Sequence, residues 1–242
     1  PFALNHAAHF VEALGVQDAL NNLRGGMEEF SAHFKASLQQ RLPVHEFAVL
    51  EALTILQRDI SLDGLCQVAN TKPATIKHLR EEGLLDTGDT GKFWLPTIVR
   101  ESLKAENTEA TQQAHQRAAR FYREQKRIPN PRQIDDLADV LEWHHHACMA
   151  GKVADAYQAI FSTGLMDQLN QWNEFALSAE LCENIYSRIQ PQSNPLSKDE
   201  WINLNHKLGA VYYSLGEYAI SIERLQSALD LLTDADPPAL KA

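Results

Sequence analysis

Three consecutive histidines, His144-His145-His146, with Cys148 two positions on, form the densest group of potential metal ligands in this chain of 242 residues. A zinc site wants three or four ligands converging on one ion. Neighbouring positions on a helix point about 100° apart, so three histidines in a row cannot converge. His144 and Cys148 do share a face at i, i+4. Two ligands leave such a site half built, and the histidines read as packed or solvated side chains, so no metal is expected. The carboxylate pairs Glu28-Glu29, Glu81-Glu82 and Asp135-Asp136 are adjacent on helical stretches. Adjacent positions do not face each other, so these pairs read as solvated surface. Nothing around them suggests an apolar pocket that would raise a carboxylate pKa. The chain has no Gly-x-Ser-x-Gly turn and no cysteine in a basic setting, which removes the common nucleophiles. It also lacks the Gly-rich phosphate loop ending in Lys-Ser/Thr. No catalytic residue is assigned, and the chain by itself is expected not to be an enzyme.

Composition narrows the choice further. At 44% hydrophobic and 22% charged residues the chain is globular in character. A net charge of −10 opposes broad attraction to nucleic acid or anionic membrane. No apolar run approaches the roughly 20 residues that span a bilayer. Cys66, Cys148 and Cys182 are odd in number and widely spaced, which fits reduced, buried thiols and a cytoplasmic location. The chain has no initiator Met and begins inside a helical pattern, Phe2 to Leu14, so it is expected to be a piece of a longer protein.

Helical periodicity dominates, and an all-α fold follows. Helical patterns cover Gln17 to Leu23 and then Met27, Phe30, Phe34 and Leu38, up to Pro43. We assign residues 1–42 to a helical bundle. In 43–104 the pattern changes. Phe47, Leu50, Leu53 and Leu56 mark one helix, and a short second helix begins at Ile60 to Asp63. A third begins at Thr71-Lys72-Pro73, with Pro suited to a first turn. The turn-rich Asp86 to Gly91 and the aromatic Phe93-Trp94-Leu95 then suggest a two-stranded wing. Three short helices and a wing make a winged-helix pattern. Residues 105–130 read as a linker helix closed by Ile128-Pro129-Asn130-Pro131.

From 131 to 242 the pattern is a tetratricopeptide-like α-solenoid. Leu208, Gly209, Tyr212, Gly216, Tyr218 and Ala228 stand at that repeat's spacing. Gly209 and Ala228 would let helices approach, Tyr212 and Tyr218 would fill the groove between them, and Gly216 would turn the chain. Ser221 replaces the motif's usual small residue. A second copy keeps the offsets at Trp143, Ala147, Gly151, Val153 and Ala156. The pattern between them, Met166 to Ile189, is too long for one repeat helix, so the array is expected to be irregular, with about three hairpins. Such arrays bind protein segments on their concave side. Asn203, His206, Ala210 and Tyr213 are the inner-helix positions expected to contact a protein or peptide partner.

A helical bundle, a winged helix and a tetratricopeptide-like array, in that order, resemble the C-terminal half of the signal-transduction ATPases with numerous domains. Pro1-Phe2-Ala3-Leu4 resembles the segment that opens the family's helical domain. Phe93 to Glu101 resembles the end of its winged helix, His115 to Tyr122 its linker helix and Glu142-Trp143-His144-His145 its first repeat helix. The resemblance implies a nucleotide-operated switch, with ATP or ADP bound by the full-length protein and none required by this piece. It implies that Pro1 lies near the adenine. Where many members place a His against the terminal phosphate, this chain has Pro96, which has no donor. It further implies that the array senses a partner and that the winged helix rotates about the segment near 104–110. The alternative reading is a winged-helix transcription regulator with a helical sensor. Against it, residues 43–104 hold seven basic and nine acidic side chains, a net of −2, where a DNA reader would show a basic stripe.

Overall fold

The computed structural model describes residues 27–104, 108–189 and 195–233. The fold is all-α, with twelve α-helices and one two-stranded hairpin among the described residues. The chain divides into two compact units, Pro1–Phe121 and Tyr122–Ala242. Pro1, and the helical patterns before Met27, lie outside the described residues.

In the first unit, α1 (Met27–Arg41) packs on α2 (Val44–Leu53) and α5 (Thr97–Leu103). Helix α3 (Leu62–Ala69) opens with Ser61 as N-cap, whose hydroxyl accepts from the Gly64 N–H at 3.1 Å. It ends at Asn70, which takes the left-handed conformation at φ 52° that Asn tolerates. Helix α4 (Pro73–Glu81) begins with Pro in its first turn, where the missing N–H costs nothing. Strands β1 (Asp86–Thr87) and β2 (Phe93–Trp94) pair antiparallel, Asp86 opposite Trp94. Ile60 extends this ladder by one bridge: its N–H donates to the Phe93 carbonyl at 2.9 Å and its carbonyl accepts from Phe93 at 2.8 Å. Leu50, Leu53, Leu65, Ile76, Leu79 and Leu103 are fully buried and form the core of this unit. Helix α6 (Glu109–Arg123) carries the chain from the first unit into the second.

The second unit is built from three helix pairs. A 3-10 turn, Ile134–Leu137, leads into α7 (Ala138–Met149), which pairs with α8 (Val153–Phe161). Then come α9 (Leu165–Gln171) with α10 (Phe175–Tyr186), and α11 (Lys198–Ser214) with α12 (Tyr218–Thr233). The long pattern from Met166 to Ile189 is therefore two helices. The break is at Asn173, whose φ of 59° is incompatible with continuing a right-handed helix. Ile160, Leu165, Leu169, Ile185, Leu204 and Leu208 are fully buried and link the three pairs into one core. No described helix is long and apolar enough to cross a membrane.

Candidate functional site

The last hairpin shows how small residues at repeat spacing set up a surface. Gly209 sits where α11 meets α12. A Cβ there would stand 2.7 Å from Leu225 Cγ and 3.2 Å from the Ser221 carbonyl oxygen, so only Gly allows this approach. Ser221, which replaces the motif's small residue, is buried, and its hydroxyl donates to the Gly209 carbonyl at 2.8 Å. The replacement thus carries its own hydrogen bond, and a buried hydroxyl is left satisfied. Gly216 turns the chain at φ +80°. The Glu217 N–H bonds back to the Tyr212 carbonyl at 2.9 Å and closes the end of α11.

The hairpin is tied to α10 by a polar network that the motif spacing did not reveal. Tyr212 Oη donates to Glu183 Oε1 at 3.0 Å, and Arg224 Nη2 donates to the same oxygen at 3.3 Å. Burial, followed by the Glu183 carboxylate, raises the Tyr212 pKa, which keeps the phenol a donor. The Arg224 guanidinium lies 3.8 Å from the Tyr186 ring centroid, and Tyr186 stacks on Trp201 at 5.0 Å. Glu183, Arg224, Tyr186 and Trp201 are separated in sequence, and only their convergence identifies them.

Of the expected partner-binding positions, His206, Ala210 and Tyr213 are exposed along one stripe of α11, at spacings of four and three. Asn203 continues the stripe but is half-buried. Its side-chain amide donates to Tyr157 Oη at 2.7 Å, so this residue joins α11 to α8. Tyr218 does not fill the groove between the paired helices. It is 60% exposed and stands edge-on to Tyr213, with ring centroids 5.6 Å apart. Tyr218 instead begins an apolar row on the outer face of α12, with Ile222, Leu225, Leu229 and Leu232, all exposed. The row recurs at spacings of four and three, the pattern of a seam that receives another helix.

The first hairpin shows the same positions covered. Counting from the turn glycines, Val153, Tyr157 and Ile160 after Gly151 match Tyr218, Ile222 and Leu225 after Gly216. Val153, Tyr157 and Ile160 are buried, at 5%, 7% and 0% exposure. Helix α10 packs on α8, and Asn203 caps Tyr157. Ile222 is 68% exposed.

The histidine run divides as helical geometry demands. His144 is buried; its Nδ1 lies 3.2 Å from the Ala156 carbonyl and its Nε2 3.6 Å from Cys148 Sγ. Burial lowers the His144 pKa to about 4 and raises that of Cys148 to about 11. The pair is therefore neutral near pH 7: Nδ1–H donates to the carbonyl and the thiol donates to Nε2. His146 stacks on Tyr122 at 5.6 Å, with its Nε2 3.5 Å from Glu142 Oε2. Cys182 is buried, and its thiol is pushed up to about 12 by burial. Cys66, expected to be buried, is only half so.

Two basic side chains of α4, Lys77 and His78, face carboxylates. Lys77 lies 3.6 Å from Glu81, and His78 Nδ1 lies 3.0 Å from both oxygens of the buried Glu46. From α1, Arg41 reaches Glu82 at 3.0 Å.

Fold and surface together define an all-α protein whose second unit is a stack of helical hairpins. No family model matches the chain, and no curated protein matches it either. Among solved structures it is similar to a signal transduction ATPase with numerous domains from Pyrococcus horikoshii, a protein with a tetratricopeptide repeat sensor. The identity is 14% and the TM-score 0.49, over 85% of this chain and 34% of that one. The chain thus spans about a third of that structure.

Proposed function

We propose that this chain is a regulatory, protein-binding piece, and that its second unit receives an amphipathic helix of a protein partner on the last hairpin. The observation that carries this reading is the exposed apolar row Tyr218, Ile222, Leu225, Leu229 and Leu232. Contiguous apolar surface of this kind marks an interaction site. The occupant's chemistry follows from the first hairpin, where the matching face of α8 is covered by a helix and bonded by a side-chain amide. Tyr213 sits at the edge of the row, beside Tyr218, and His206 and Ala210 continue the exposed stripe of α11. A partner helix on α12 would thus be read along one edge by Tyr213, whose ring buries area at low entropic cost.

The sequence resemblance to nucleotide-switched signalling ATPases supports placing this binding within a switch. In that reading the first unit contains a winged helix that relays partner binding to a nucleotide site elsewhere in the longer protein, and Pro1 lies near the adenine. The DNA-binding alternative draws less support. Lys77 and His78 on α4 face Glu81 and Glu46, and residues 43–104 carry more acidic than basic side chains.

The test is affinity capture from source-cell extract with the full chain, followed by purification of the captured protein and direct titration. Ile222→Asp combined with Tyr213→Ala serves as the comparison. Both side chains are exposed, so the variant should keep its stability within about 0.5 kcal/mol. Loss of the purified partner's binding by tenfold or more, with circular dichroism unchanged, is the expected result. Equal affinity for the variant would place the interaction elsewhere and sink this reading.

A further inference from the structure

We infer that the first unit holds a binding site for a small phosphate ester, in the cavity between α1, α2, the α3–α4 turn and α6. The cavity measures about 740 Å³, a size within the common range of small-molecule sites. Its charge is opposite to that of the chain. Three permanent cations, Lys35, Lys72 and Arg117, line it against one carboxylate, Glu51, in a protein of net charge −10. Lys35 lies 3.4 Å from Glu51. Lys72 and Arg117 have no carboxylate partner among the described residues.

Arg117 carries the argument furthest. Its Nε donates to the Val68 carbonyl at 2.7 Å, which fixes the plane of the guanidinium. Both Nη groups are then left without a partner among the described residues. Burial also lowers the Arg117 pKa, the mark of a cation that has lost water without gaining a counter-ion. A fixed, half-desolvated guanidinium is a fork suited to two oxygens of one phosphate group. Lys72 supplies a second charge, and Thr71 and Thr75 supply hydroxyl donors on the same wall. The opposite wall is small and apolar, with Ala48 and Ala52 beside the buried Val49, so the organic part of an ester has a seat that a bare ion would not use.

Nucleic acid offers the same phosphate chemistry but fits less well. The segment 43–104 is net negative, and Lys77 and His78 on the neighbouring α4 face the carboxylates of Glu81 and Glu46. A discrete ligand answers both the concavity and the charge.

The experiment titrates the full chain with phenyl phosphate and, separately, with inorganic phosphate. Amide chemical shifts are followed, with chloride added to matched ionic strength as control. Saturable shifts confined to the α3–α4 turn and α6 are expected, with phenyl phosphate binding more tightly than inorganic phosphate. Lys72→Ala, an exposed change that leaves the fold intact, should weaken binding by about tenfold. Arg117→Lys keeps the charge but loses the fork, and should weaken it at least as much; if that variant unfolds, Lys72→Ala decides alone. Equal responses to chloride and phosphate, or unchanged affinity in Lys72→Ala, would overturn the proposal. So would binding of duplex DNA to this face with no response to either phosphate probe.

Discussion

His144 places both ring nitrogens inside the first hairpin of the second unit, one toward the Ala156 carbonyl and one accepting from the Cys148 thiol. Protonation would break the thiol bond and put an unpaired charge in a buried position. Its folded pKa of about 4 lies below the ordinary 6.5, so between those values the unfolded chain binds a proton that the folded chain refuses. Stability therefore falls as pH drops from about 6.5 to about 4, and His144 contributes no further change below that. The size of the effect is on the order of 3 kcal/mol. Urea unfolding at pH 7 and pH 4.5 should show this loss in the wild type. In His144→Gln the acid-dependent part should be smaller, even if the variant is less stable at both pH values. An unchanged pH dependence would show that His144 titrates freely.

Among the elements, the pairing of α11 with α12 depends most on single residues. Ser197 and Glu200 form a capping box at the start of α11: the Ser197 hydroxyl accepts from the Glu200 N–H, and Glu200 accepts from the Ser197 N–H at 2.8 Å. Gly209 then sets how closely the helices meet. Gly209→Ala gains helix propensity of about 1 kcal/mol, but its methyl would collide with Leu225 and press on the Ser221 carbonyl. Overpacking of that kind costs about 1–3 kcal/mol, and the backbone contact leaves little room for relief. The net expectation is a loss of about 1 kcal/mol for Ala, and clearly more for Val, whose branched side chain adds two methyl groups. Urea midpoints of the two variants check the order; an Ala variant more stable than wild type would show that Leu225 simply rotates away.

At the scale of the molecule, the division into two compact units has a direct consequence. Tyr122–Ala242 has its own buried core, including Ile160, Leu169, Ile185 and Leu204. Residues 122–242 produced alone should therefore unfold cooperatively, with the same sensitivity to pH that His144 confers on the full chain. A broad, non-cooperative transition would show that the helix pairs need the first unit to pack. The exposed row on α12 belongs to this scale as well. Leu225 in this row packs against Gly209, whereas Ile222 is 68% exposed, so substitution of Ile222 should separate binding from stability.

Much of this architecture was legible in the sequence, because helical periodicity and turn residues are local signals. The all-α class, the three short helices before the Asp86–Thr87 strand and the final hairpin all follow from apolar spacing and from residues such as Pro73, Ser61 and Gly216. The split of the 166–189 stretch was hidden because Asn173 carries its turn without the Gly or Pro that usually announces one. The exposure of the expected partner-binding positions was legible only in part. His206, Ala210 and Tyr213 fall on an exposed stripe as their spacing implied, while Asn203 is drawn into a bond with Tyr157, forty-six positions away. Tyr218 shows the limit most plainly: its motif position suggested a filled groove, yet whether an apolar side chain is covered depends on what packs over it. Which faces are apolar is written into the order of side chains, because residue identity and helical period are local. Which of those faces are covered, which cations lack a counter-ion and which distant residues share a hydrogen bond is set by packing, because these depend on contacts between segments far apart in the chain.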